Sequence, residues 1–143
     1  MGTSSAAFAT IFGKATSAQY ADVAEMFRPD ADYAAGTLMS LGGTEEVTRV
    51  NEELADDVFG VISTQPAYLM NNTFDGAPIA VAGRVPVRVV GMVNKGDRLV
   101  SAGNGLARAA QADEATSFNV IGRSIETKTT MEEGTVEAFV TIN

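Results

Sequence analysis

Pro78-Ile79-Ala80-Val81-Ala82-Gly83-Arg84-Val85-Pro86-Val87-Arg88-Val89-Val90-Gly91-Met92-Val93 is the longest apolar run of the chain and decides its class. Val and Ile dominate it, and polar or small residues interrupt it at short intervals, which is strand chemistry. Arg84 and Arg88 break it, so it is no membrane span. Pro86 cannot donate a ladder hydrogen bond, so the run is expected at a sheet edge or broken by a bulge.

Outward from this run, turn residues punctuate the chain. They are Gly42-Gly43, Asp56-Asp57, Asn71-Asn72, Asp75-Gly76, Lys95-Gly96-Asp97, Gly103-Asn104-Gly105 and Glu133-Gly134. Between them, Val58 to Ser63, Arg98 to Ser101, Val120 to Ile125 and Thr135 to Ile142 read as further strands. The expected fold is mainly β: a compact antiparallel barrel or sandwich, with an extended N-terminal arm over 1–14, one β domain over 15–143, and at most a short helix. That helix would lie in Ala15 to Phe27, where Tyr20, Val23 and Phe27 are spaced for one helix face and Pro29 would end it. An extended segment packed on a neighbouring chain is the other reading.

An internal repeat adds to this. Ala35-Gly36-Thr37-Leu38-Met39-Ser40 resembles Lys95-Gly96-Asp97-Arg98-Leu99-Val100-Ser101, and each is followed by a Gly-containing turn. Val58-Phe59-Gly60-Val61-Ile62 and Val120-Ile121-Gly122-Arg123-Ser124 come next, then Ile79 to Val90 and Val136 to Ile142. This pattern predicts two related strand-turn-strand units that share one core. Chance likeness between Gly-punctuated hairpins is the alternative.

The composition removes whole classes of chemistry. Among 143 residues there is no Cys and no His, so thiolate catalysis, disulfides and a Ser-His-Asp triad are excluded. The net charge of −8 opposes binding to a nucleic-acid backbone. Met1 to Phe12 has no basic start and is too polar for a secretory leader. Arg84, Arg88, Lys95 and Arg98 form a mild basic cluster, expected as a solvated face. Asp22 with Glu25, and Asp30 with Asp32, are oxygen donors for a hard cation, but neither pair has the ligand count of a calcium loop. No catalytic residue, metal ligand or cofactor is assigned. The loop Thr64 to Gly76 carries Tyr68, Leu69, Met70 and Phe74, which either form an exposed interface or receptor loop or fold inward. Phe8, Ile11 and Phe12 are the candidate arm contacts.

Several landmarks in order carry a resemblance: Ala15 to Glu25, Ala31 to Thr37, Gly42 to Thr48, Gly60 to Asn71, Gly83 to Val87 and Lys95 to Val100. Together they resemble the C-terminal domain of tail-fibre-like virion proteins of marine and cyanobacterial phages. The segment Gly2 to Phe12 is similar to the β-repeat that leads into that domain. More distantly the order is similar to the self-cleaving appendage domains grouped as peptidase G2, in the tract around Asp22 to Phe27.

The resemblance implies a non-enzymatic structural protein of the virion, a homotrimeric tail-fibre or appendage module. Its partners would be further copies of itself, other virion proteins and a host surface receptor, with no nucleic acid and no membrane. The more distant likeness implies a self-cleaving chaperone domain as an alternative; a capsid decoration protein whose arm grips the shell is a further alternative, outside the resemblance.

Overall fold

The computed structural model describes residues 21–64, 66–71 and 73–142. Ten strands form one connected sheet. In chain order they are β1 (Ala21–Phe27), β2 (Leu38–Leu41), β3 (Val47–Arg49), β4 (Val58–Ile62), β5 (Tyr68–Met70), β6 (Ala77–Val89), β7 (Arg98–Gly103), β8 (Leu106–Ala109), β9 (Gly122–Ser124) and β10 (Gly134–Thr141). No helix occurs among the described residues.

The sheet closes on itself. β6, β8, β7, β9 and β10 follow one another, and β10 returns to β6, giving a five-stranded barrel. A second ring shares β6. It runs through β4, β2 and β3 and reaches β1 through a bridge between Pro29 and Val47. A ring with an odd number of strands cannot be antiparallel all the way round. Each ring accordingly contains one parallel seam, Val89 beside Ala107 in one and Pro29 beside Val47 in the other. The remaining ring contacts are antiparallel, as the turn spacing predicts.

The repeat read from the sequence is a repeat of hydrogen bonds. Gly36 N–H donates to the Ile62 carbonyl at 2.7 Å, and Gly96 N–H, sixty residues on, donates to that of Ser124 at 2.7 Å. Ile62 N–H donates to Thr37, and Ser124 N–H donates to Asp97. Met39 faces Arg49 and Gly60; Leu99 faces Ala109 and Gly122. Both Gly36 and Gly96 have positive φ, 88° and 93°, a conformation that glycine adopts without strain. The unit is a hairpin, a return strand and a long strand, used twice. The second hairpin turns at Asn104-Gly105, both at positive φ, as a tight hairpin turn requires.

Each ring is filled by side chains of its own strands. Met39, Val47, Ile62 and Ile79 are buried together, with Phe27 packed on them and its ring edge-on to Phe59 at 5.2 Å. The matching layer of the other ring is Leu99, Ala107, Ser124, Ala138 and Val87, all buried. A larger cluster joins this ring to the other face of the first, through Leu38, Val61, Ala80 and Ala24.

One local expectation is corrected and one is made specific. Ala21–Phe27 is a strand and not a helix, while Ala15 to Tyr20 lie outside the described residues. The i, i+3, i+7 spacing is overridden by two ladders, antiparallel to β6 and parallel to β5. The operative period is two: Asp22 and Ala24 are buried, Ala21 and Val23 exposed. Pro86 has β10 on one side, where it faces Glu137; on the other side the pairings of β6 end with β1 at Arg84 and resume with β8 at Val89, so among the described residues no strand pairs with Pro86 there. Glu137 sends its N–H to Glu126 Oε1 and its carbonyl to Ile125 N–H, both away from β6. Pro86 therefore occupies a non-hydrogen-bonded position, where a missing donor costs nothing. A bulge does exist, at Val81, between the partners of Val23 and Ala24.

One ion pair ties the two units together. Arg108 on β8 grips Glu114 through both Nη atoms, at 2.7 and 3.0 Å, and reaches Glu53 of the first unit through Nε at 3.2 Å. The Arg108 hydrogen bonds, helped by Gln111 N–H, hold the Glu114 carboxyl well below its ordinary 4.5, at about 2. Folding thus favours the ionised form. Its contribution is complete above the ordinary carboxylate value and fades as pH falls towards about 2. The stability gap between wild type and Glu114→Gln, from urea melts, is expected to be full at neutral pH and to close on approach to that acid limit. A gap that ignores pH would show that the pair contributes nothing.

Candidate interaction surface

β5 pairs only with β1, so Tyr68–Met70 is an edge strand with one free side among the described residues. Alternation splits the loop read from the sequence. Tyr68 is 51% exposed and Met70 is exposed, while Leu69 turns inward onto the core. Phe74 is half-buried, with the Arg28 guanidinium 4.1 Å above its ring. Two of the four residues thus face solvent and two pack inward. Phe8, Ile11 and Phe12 lie outside the described residues.

Tyr68 stands beside Val23 of β1, itself exposed, and Val23 stands beside Ala82 of β6. The next row of the same outer face runs Ala21, Arg84, Phe139, Arg123, Arg98 across β1, β6, β10, β9 and β7. Phe139 is 56% exposed. Arg84 binds Glu137 at 3.0 Å, which fixes both on this face. This row is not legible in the sequence, because its members are neighbours only through strand register.

The basic cluster expected as a solvated face does not stay together. Arg84 pairs with Glu137, and Arg88 with Glu133 and the Thr37 hydroxyl. Lys95 sits in an exposed turn, and Arg98 joins Arg123.

The candidate cation pairs fare as follows. Asp22 is buried and Glu25 points to the opposite face of β1, so the two cannot share an ion. Asp22 Oδ2 has no hydrogen-bond partner among the described residues. Asp30 is held by the Tyr33 hydroxyl, which together with Thr48 lowers its pKa. Asp30, Asp32 and Asp75 line an open cleft of about 570 Å³, yet no group of three metal-ligating side chains converges among the described residues. Two further clefts, about 620 and 430 Å³, meet at Arg98 and Ala115.

The fold is shared with solved phage proteins. The N base of the head fibre gp8.5 of bacteriophage phi29 matches with a TM-score of 0.50 and 16% identity, over 83% of this chain and 93% of that one. The C-terminal fragment of bacteriophage phi29 gene product 12 matches with a TM-score of 0.60 and 16% identity, over 85% of this chain and 100% of that one. Pre-mature gene product 12 matches with a TM-score of 0.63 and 16% identity, over 87% of this chain but 22% of that one. At such identity the likeness is one of fold. No family model and no curated protein matches the chain.

Proposed function

We propose that this chain is a structural module of a phage virion, built as a homotrimer into a fibre or appendage. The observation that carries the reading is the double ring around β6, a fold it shares over more than four-fifths of its length with a phage head-fibre base and with a fragment of a second phage protein. The surface supports the same reading. Large apolar side chains remain exposed on one sheet face beside an edge strand, and exposed apolar patches mark assembly surfaces. The partners are further copies and other virion proteins. A host receptor would meet Tyr68 and Met70, the exposed half of the 64–76 loop.

The likeness to a head fibre also favours a second reading, a capsid-bound decoration protein. Native mass measurement decides the oligomer: the expected species is three times the 14.9 kDa chain at micromolar concentration. Immunogold labelling of virions then separates fibre from shell. A monomer at every concentration, with unlabelled particles, would overturn the proposal.

A further inference from the structure

Arg98 on β7 and Arg123 on β9 stand directly opposite each other, and both are exposed. Like charges placed so across a ladder are destabilising. The chain has no shortage of carboxylates to relieve them, 18 against 10 cations. Arg28, Arg84, Arg88 and Arg108 each have one. Among the described residues Arg98 and Arg123 have none, and Arg123 spends its Nε–H on the Gly96 carbonyl at 3.0 Å. Phe139 lies beside Arg123 on the same face, more than half exposed. Two uncompensated guanidiniums next to a bare aromatic ring have the composition of an interface centre, where Arg and aromatic residues are enriched.

We propose that this row is the contact face for a second copy of the chain, which sets a carboxylate-bearing surface on Arg98 and Arg123 and packs apolar atoms on Phe139. The inference rests on the oligomeric reading above and says which face makes the oligomer. Charge selects the occupant. The chain is acidic overall, so its own remaining surface supplies the missing counter-charge. Exposed Glu52, Asp56 and Asp57, between β3 and β4, are one such source outside the row. A cationic patch that meets a different, acidic patch is a head-to-tail contact, and repetition of that contact about an axis closes a ring such as a trimer.

The test is sedimentation and native mass of wild type, Arg98→Glu/Arg123→Glu and Phe139→Glu, with Met131→Glu as control. Met131 is exposed but lies off this row. The row variants are expected to keep their β circular dichroism and to raise the dissociation constant on the order of a hundredfold. The control is expected to assemble as wild type does. Row variants that assemble normally would overturn the face and leave the oligomeric reading standing. A monomeric wild type would overturn both. Variants that assemble normally but lose retention on a sulfated-polysaccharide column would assign the row to an anionic glycan and sink the inference.

Discussion

Gly122→Ala is expected to cost about 3 kcal/mol, at the upper end for overpacking, and to lower the melting temperature by on the order of 10 °C. A Cβ at Gly122 would lie 2.3 Å from the Phe139 carbonyl oxygen and 2.9 Å from the Val140 Cα. Both atoms are backbone of β10, so relief requires β9 and β10 to part. The matching Gly60→Ala is expected to cost less. Its Cβ would first meet the Ile79 Cγ2, a side-chain atom at 2.4 Å, although the Ala80 carbonyl oxygen follows at 2.7 Å. Thermal and urea melts of both variants check the order. A Gly122→Ala protein as stable as wild type would mean that β9 and β10 do not approach as described.

These two glycines also mark where the sequence is legible. They occupy matching places in the two halves, and the runs around them alternate as strands do, so the doubled unit could be read from one chain. The strands at 58–62, 77–89, 98–103 and 134–141 were visible for the same reason: their apolar runs end at turn residues. β1 was not visible. Val23 and Phe27 lie four apart, a helical spacing, and only the partners β5 and β6 impose the period of two. That Pro86 lacks a strand partner on one side is legible from its missing N–H; which side is open is not, because a sequence does not show which way that N–H would point.

The row through Arg98, Arg123, Phe139 and Arg84 was hidden more deeply. Its members are scattered between residues 84 and 139, and only ladder register aligns them. The candidate loop was half legible. Its aromatic and Met content marked it, but which residues face out depends on the phase of β5, fixed by its pairing with β1.

The doubled unit predicts unequal responses to equal cuts. Met39 and Leu99 hold matching places and are both fully buried, yet they belong to different clusters. Met39 sits in the small cluster inside the first ring. Leu99 sits in the large one that draws on both units, with Val61 and Ala80 from the first and Ile121 and Ala138 from the second. Leu99→Ala is expected to cost about 4 kcal/mol and Met39→Ala about 3, within the range for large-to-small core changes. The sharper difference lies in amide exchange. Met39→Ala is expected to weaken protection in β2, β3 and β4 while β7 to β10 keep theirs, because the small cluster takes no side chain from those four strands. Leu99→Ala is expected to weaken protection throughout, since that cluster takes side chains from β1, β2, β4, β6, β7, β8 and β10. Equal loss of protection across all strands in Met39→Ala would mean that β6 couples the rings into one cooperative unit. The first ring could not then loosen, to seat a partner at the β5 edge, without unfolding the barrel beside it.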